Sequence, residues 1–452
     1  MQIIIVGCGN VGGTIIEQLS KEGHNISAID IDAAKVQQTS DQFDVLGIVG
    51  NGASFTKQME AGIEKADLLI AVTGKDELNL LCCVIAKKAG NNCNTIARVR
   101  NPVYSQEIDY IRDEMGLSMI INPELAAAME VGRLVKFPSA IEIDSFAKGK
   151  VEMLSFRIAK GNILCNGPLK DIAIKYNRDV LVCMVERGDQ VIIPDGNFVI
   201  QENDIVSVVA SSKNVMAFFR KIGIFTGKAK SVMIIGGGET AFYLAAYLST
   251  MGIRVKIVER DKRRCEELAE LLPKAMVICG DGTDRTLLME EGLKSTEAFI
   301  AWTNFDEENI MLSLFAKRVS GAKLITKVHR ISYDEIIAEL DLGSIMYPKH
   351  ITAESIVRYV RAMQNSIGSN VETLYRLCDN RVEALEFKVN EHSKVVGVPL
   401  QELQLKSNLL ICSIKHNGKI ITPGGQDQIS VGDTVIVVTT NTGLDDIRDI
   451  LK

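Results

Sequence analysis

Short apolar runs alternate with amphipathic stretches from the first residue onward. Ile3–Val6 is short enough for a buried strand, and the stretch after it carries apolar residues at Val11, Ile15, Ile16 and Leu19, one face of a helix. Lys21-Glu22-Gly23 closes that helix, and a second strand ends at Asp30. The alternation continues with a helix over Ala33–Ser40, an apolar run at Val45–Val49, the turn Gly50-Asn51-Gly52 and a helix from Ser54. Asp67–Val72 reads as a buried strand, Thr73–Asp76 as a loop and helix cap, and Glu77–Ala89 as a helix. A strand at Thr95–Arg100 is stopped by Asn101-Pro102. A helix near Ser105–Glu114, a short strand at Ser118–Ile121 and a helix after Pro123 complete the block. Strands alternating with helices predict a parallel, doubly wound sheet.

Val151–Ser211 has a different texture. Short β-rich runs (Val151–Ile158, Val180–Val185, Val191–Ile193, Ile205–Ala210) are separated by turns at Asn166-Gly167-Pro168 and Pro194-Asp195-Gly196, which predicts a small α+β lobe.

The pattern then repeats with a period of about 230 residues, too long for a solenoid. Val232–Ala241 aligns with Ile3–Gly12, Glu259 falls on Asp30, and Glu297–Asn309 matches Asp67–Asn79. Lys327 and His329 fall on Arg98 and Arg100. Val382–Val389 matches Val151–Ile158, and the run at 432–439 matches 203–210. The expected organisation is α/β: two Rossmann-like, doubly wound parallel-sheet lobes, each followed by a small α+β lobe, duplicated in tandem. The expected bounds are 1–137, 138–225, 230–365 and 370–452.

Composition narrows the function. Aromatic residues are only 5% and the net charge is -6, which argues against a nucleic-acid partner. No apolar run approaches the ~20 residues of a membrane-spanning helix, and no signal peptide is visible, so a cytosolic protein is expected. The 10 cysteines form no C-x-x-C pair and no zinc spacing, and read as small buried hydrophobes.

The chemistry concentrates in the first strand–helix turn. Gly7, Gly9 and Gly12 stand at G-x-G-x-x-G spacing between a strand and a helix. This is the dinucleotide fingerprint: a tight turn, close approach of backbone to pyrophosphate, and a helix packed close to its strand. The helix N-terminus offers free N–H groups to phosphates. Asp30 lies about 20 residues on, where a carboxylate accepts from ribose hydroxyls and disfavours a 2′-phosphate. Arg98 and Arg100 project from one face of a strand end, either to neutralise phosphate or to pair with Asp76 or Glu77.

Both fingerprints, the G-N-G-A-S and G-D-G-T-D turns, A-V-T-G-K-D-E-L-N with A-W-T-N-F-D-E-E-N, and Ala97–Tyr104 together resemble the TrkA family. These are the tandem RCK (KTN) regulatory subunits of bacterial Trk potassium uptake systems. The resemblance covers essentially the whole chain. It implies NAD(H) binding, with ATP or ADP as other occupants. The implied partner is a membrane potassium-translocating subunit of the Trk (TrkH- or TrkG-like) type. The implied assembly is a homo-oligomeric ring, a dimer or tetramer, on the cytoplasmic face of the membrane. In such a protein the first site falls on Gly7, Cys8, Gly9, Asn10, Val11, Asp30, Asn51, Gly52, Thr73, Gly74 and Arg98. The second falls on Gly236, Gly237, Gly238, Glu239, Thr240, Glu259, Asp281 and Thr303. The second site departs from the first: Ala241 replaces the third glycine, and Lys327 lacks the planar fork of Arg98, so the two sites are expected to differ in ligand or strength.

The rival reading is a duplicated NAD-dependent oxidoreductase. Hydride transfer needs a positioned acid or base beside the nicotinamide and a substrate domain. The five histidines do not supply one in both halves: His24 is expected in a surface turn, His392 and His416 lie in the last lobe, and His329 and His350 belong to the second half alone. The small lobes look too thin for a substrate domain and carry no calcium-loop spacing, so an interface role is expected of them.

Overall fold

In the computed structural model the first apolar run becomes β1 (Gln2–Val6), with Ile3, Ile4 and Ile5 fully buried, as a strand covered on both faces requires. The structure describes residues 1–90, 93–105, 107–146, 151–165, 167–171, 180–210, 212–224, 229–329, 337, 340, 342–365, 371–378, 381–390, 393–444 and 446–452. Asn166 of one expected turn, Gln106 of one expected helix, and His392 lie outside the described residues. The chain forms two compact units, Met1–Gly132 with Lys230–Val357 and Arg133–Ala229 with Arg358–Lys452.

The first unit begins with β1, β2 (Asn25–Asp30), β3 (Leu46–Val49), β4 (Leu68–Ala71), β5 (Asn94–Arg98) and β6 (Met119–Ile121). They form one parallel sheet in the order β3-β2-β1-β4-β5-β6. The order reverses between β1 and β4, and ligands bind outside the carboxyl ends of strands at such a reversal. The helix Asn10–Lys21 buries Gly12, Thr14, Ile15, Ile16 and Leu19. Val11, expected on the same stripe, is only half-buried.

The chain then supplies β7 (Glu142–Phe146), β8 (Val151–Arg157), β9 (Leu181–Arg187), β10 (Gln190–Ile192) and β11 (Ile205–Ala210) to the second unit. Their order is β10-β9-β11-β8-β7, all antiparallel.

The repeat is structural as well. β12 (Ser231–Ile235), β13 (Arg254–Glu259), β14 (Met276–Cys279), β15 (Ala298–Ala301), β16 (Lys323–Lys327) and β17 (Ser344–Met346) form a second parallel sheet, β14-β13-β12-β15-β16-β17. β18 (Val371–Leu377), β19 (Val382–Lys388), β20 (Leu409–His416), β21 (Lys419–Ile421) and β22 (Thr434–Thr439) form a second antiparallel sheet, β18-β19-β22-β20-β21. Within the second unit the two antiparallel sheets share one core. Phe146, Met153 and Cys183 of one pack with Val382, Cys412 and Ile436 of the other, and the Phe146 and Tyr375 rings meet edge-on at 4.4 Å.

Two local expectations change. His24 is buried (6% exposed) rather than in a surface turn, with Nδ1 3.5 Å from the N-terminal amine. Asp76 does not cap its helix; it is the first helical residue, and Lys75 occupies the cap position with no side-chain hydrogen bond.

Candidate nucleotide site

The first fingerprint is built as its glycines require. Gly7 has φ +106°, a conformation side chains avoid, and a methyl there would stand 3.0 Å from the Val72 carbonyl group. A methyl on Gly12 would lie 1.8 Å from the Gly7 carbonyl oxygen, so the helix can pack on the loop only with glycine at that position. Around Gly9 no atom lies within 4 Å of where a Cβ would stand, which leaves its backbone open to a ligand. No side chain caps the helix Asn10–Lys21, so its first N–H groups are available to an anion.

Side chains converge on this opening. Asp30 accepts from the Cys8 N–H (2.7 Å) and the Asp32 N–H (3.0 Å), which fixes its carboxylate at the end of β2. Cys8 therefore contributes its backbone, and burial pushes its thiol up to about 11. Asn51 Oδ1 accepts from the Ala53 N–H (3.0 Å), and Gly52 packs on Val6, where a methyl would clash at 2.1 Å. Buried Asn79 takes the Thr73 N–H on Oδ1 (2.8 Å) and donates Nδ2 to the Arg98 carbonyl (2.9 Å), clamping the loop after β4 to the end of β5.

The arginines are held with donors to spare. Arg98 Nη2 donates to the Thr73 carbonyl, and Arg100 Nη2 to the Gly74 carbonyl at 2.6 Å. Arg100 Nε stands 3.5 Å from Asp76 Oδ1, so Asp76 is its partner and Glu77 is not; Glu77 accepts from the Tyr104 hydroxyl at 2.8 Å. Arg98 Nε is buried without a hydrogen-bond partner. Burial, then the neighbouring Arg100 charge, lowers the Arg98 pKa, while burial raises that of Glu124. An anion placed here would relieve the first of these strains.

The second half carries the same clamp. Asn309 holds the Thr303 N–H (2.8 Å) and the Lys327 carbonyl (3.0 Å), and Asp306 accepts from the His329 N–H and pairs with its Nδ1 at 2.9 Å. Gly236 has φ +104°, and no side chain caps the helix Glu239–Thr250. Glu259 accepts from the Gly237 N–H at 2.6 Å and the Asp261 N–H at 2.8 Å. Asp281 accepts from Thr283, whose N–H holds its carboxyl below the usual range. Glu239 faces Arg264 at 3.2 Å, and Arg264 Nε donates to the Gly237 carbonyl at 2.8 Å. The first half has neutral Asn10 where this internal ion pair has Glu239.

Within the first unit the halves meet. The Tyr243 hydroxyl donates to the Arg100 carbonyl (2.7 Å) and accepts from Asn122 Nδ2 (3.0 Å). A cavity of about 880 Å³ opens between them. It is lined by Gly7, Gly9, Asn10, Val11, Asp30, Asn51, Gly52, Thr73, Gly74 and Arg98. Thr240, Trp302, Asn304, Lys327, His329 and Lys349 line it from the second half. Cys8, Gly236, Gly237, Gly238, Glu239, Glu259, Asp281 and Thr303 do not line it. Lys327 is 7% exposed, lies 5.8 Å from the Trp302 ring centre and 3.4 Å from Asn304 Oδ1, and burial pushes it down to about 8.

Sequence reasoning missed Lys35, Glu124, Trp302, Asn304 and Lys349 as lining residues. It also missed the clamps Asn79 and Asn309, although the repeated D-E-x-N segment that carries them was visible.

Comparisons with known proteins agree with this architecture. The TrkA-N domain model matches residues 3–123 and 232–348, and the TrkA-C domain model matches 153–223 and 384–452. The Trk system potassium uptake protein TrkA homolog 1 of Methanosarcina mazei is 32% identical over the full length of both chains. The TrkA protein of Halomonas elongata is 30% identical over 97% of this chain and 95% of its own. Among solved structures, the GsuK RCK domain superposes with a TM-score of 0.64 at 15% identity, covering 97% of this chain and 92% of its own. The GsuK channel bound to NAD gives 0.64 at 15%, covering 97% and 76%. At that identity these structures speak for the fold alone.

Proposed function

The chain belongs to the TrkA family of Trk system potassium uptake proteins, and from that premise we propose that it is a nucleotide-binding regulatory subunit that gates a membrane potassium-translocating partner. It is not an enzyme: the relatives it matches are potassium uptake proteins, and the oxidoreductase reading is set aside. In this proposal NAD(H) is the ligand of the first fingerprint, with ATP or ADP competing for it. The partner is a Trk-type (TrkH- or TrkG-like) subunit. The chain works as a ring-forming homo-oligomer, a dimer or tetramer, at the cytoplasmic face of the membrane. Among the described residues no helix is long and apolar enough to cross a membrane, so the proposal assigns the membrane to the partner. The four lobes 1–137, 138–225, 230–365 and 370–452 are its proposed modules.

One observation carries the reading. An uncapped helix N-terminus, an open Gly9 and the buried, unpartnered Nε of half-buried Arg98 belong to one cavity, which Asp30 also lines. Such a site accepts phosphates at one end and hydroxyls at the other. Gly7, Asn10, Val11, Asn51, Gly52, Thr73 and Gly74 would shape it, and Cys8 would hold Asp30. The second fingerprint, with Glu239 and Arg264 paired across it, is proposed as the weaker site, formed by Gly236, Gly237, Gly238, Thr240, Glu259, Asp281 and Thr303. Only a ligand that binds two lobe arrangements unequally can shift them, so gating would follow from differential affinity among nucleotides.

Calorimetric titration with NADH, NAD⁺, ATP and ADP tests this. We expect saturable binding that Asp30→Ala weakens ~10- to 100-fold, the loss of charge-assisted hydrogen bonds to hydroxyls. Glu259→Ala should affect only a second, weaker event. Absence of binding by all four nucleotides would overturn the reading.

A further inference from the structure

A pair of thiols lies against the second fingerprint. Cys265, on the helix Lys262–Leu271, donates its Sγ–H to the Glu259 carbonyl at 3.2 Å. Glu259 is the register partner of Cys279, the last residue of β14. Register partners in a parallel sheet project from the same face. That face is the one the helix covers: a methyl on Gly237 would meet Leu268 Cδ1 at 2.7 Å and Glu259 Cγ at 2.9 Å, so the helix and the Glu259 side chain converge there. Cys279 thus stands beside Glu259 on the face that the helix carrying Cys265 covers. Cys265 is 6% exposed, whereas Cys279 is exposed. The corresponding positions of the first half are Val36 and Val49. Cys82, Cys83 and Cys93 also cluster, but all three are fully buried, out of reach of a dissolved oxidant.

We propose that Cys265 and Cys279 form a reversible disulfide when the protein meets a peroxide. The sulfur of Cys279 attacks one oxygen of hydrogen peroxide; the O–O bond breaks, and the departing hydroxide takes the thiol proton and leaves as water. Cys279 is then a sulfenic acid. The sulfur of Cys265 attacks the sulfenic sulfur and expels hydroxide, which takes the Cys265 proton and leaves as a second water. Two thiols and one peroxide become one disulfide and two waters, with two electrons passing from sulfur to oxygen. A dithiol reductant restores both thiols. The order follows from access. Burial, then the neighbouring Cys279, pushes Cys265 up to about 12, which keeps it a thiol until Cys279 has been activated beside it. The bond would fasten the helix to the strand end between Glu259 and the Gly280-Asp281-Gly282 turn. Its effect on a nucleotide there rests on the function proposed above; the bond itself does not.

The test treats the full-length protein with graded hydrogen peroxide, alkylates it under denaturing conditions with N-ethylmaleimide, and maps peptides without reduction. The expected product links the Cys265 and Cys279 peptides, is two hydrogens lighter than their sum, and vanishes with dithiothreitol. Cys265→Ser should leave Cys279 trapped by dimedone as a sulfenic acid, and Cys279→Ser should leave Cys265 fully alkylated. Both cysteines alkylated after peroxide, Cys279 linked to another cysteine, or Cys279 sulfinic acid without the linked peptide would each overturn the proposal. The linked peptide together with unchanged nucleotide titrations would uphold the disulfide and count against a nucleotide at the second fingerprint.

Discussion

At the scale of single residues, the two glycines that flank the first helix turn are under opposite demands. Gly12→Ala places a methyl 1.8 Å from a backbone oxygen, which cannot give way without moving the helix. The expected cost is more than ~3 kcal/mol, as for severe overpacking, read as a lowered thermal midpoint. Gly9→Ala meets nothing within 4 Å at a φ of -73°, so its stability should change by less than ~0.5 kcal/mol while nucleotide binding is lost in calorimetry. Lys327 adds a pH signature. Its pKa is depressed to about 8 by burial, so between that value and its ordinary one the unfolded chain holds a proton that the folded chain does not. Stability therefore rises as pH increases through 8 toward the ordinary lysine value, and the penalty is fully present below 8. Lys327→Met should flatten that rise in denaturant melts taken from pH 7 to 10.

At the scale of elements, a polar clip is one of the contacts that join the two parallel-sheet lobes. Tyr243→Phe removes the 2.7 Å donor to the Arg100 carbonyl, which keeps the longer 3.4 Å contact from Asn122 Nδ2, and removes one acceptor of Asn122. A loss of ~1–3 kcal/mol is expected in denaturant unfolding, and a loss under ~0.3 kcal/mol would show that water replaces the phenol. Elements were the most legible feature of the sequence. The strand–glycine–helix turn, the strand ending at Asp30 and its partner ending at Glu259 all stand where the apolar periodicity put them, because a sheet covered on both faces writes itself as short apolar runs. The duplication was legible for the same reason. What stayed hidden depends on side chains meeting across distance in sequence. His24 is in a turn by composition but is buried beside the chain's own N-terminus. Asp76 looks like a cap but serves the loop after β5, accepting from the Arg100 and Asn101 N–H groups at 2.8 and 2.9 Å. Cysteines read as uniformly buried include exposed Cys279, at the end of an edge strand where burial is one-sided.

At the scale of the molecule, the duplication does more than provide two copies of a site. The cavity at the first fingerprint borrows Trp302, Asn304, Lys327 and Lys349 from the second half, while of the second fingerprint's turn only Thr240 is among its lining residues. A ligand held only by its own lobe would have nothing to say about how the halves are arranged. A ligand that touches both stabilises one arrangement by the difference in its contacts, which is the only way binding moves such an equilibrium. Lys327 is the sharpest probe because burial with few hydrogen-bond partners is already costly to its charge, and a phosphate would restore it. Lys327→Met should therefore weaken binding of phosphate-bearing ligands at the first fingerprint ~10-fold or more, the worth of one charge-assisted hydrogen bond, although the residue belongs to the other repeat. Glu259→Ala, at the second fingerprint, should leave that affinity within about two-fold, as expected for a distant site with no shared partner. Calorimetry on the two variants separates the possibilities. If Lys327→Met binds like the parent, the ligand does not bridge the halves, and any coupling between them has to run through protein contacts such as the polar clip at Tyr243 rather than through the ligand.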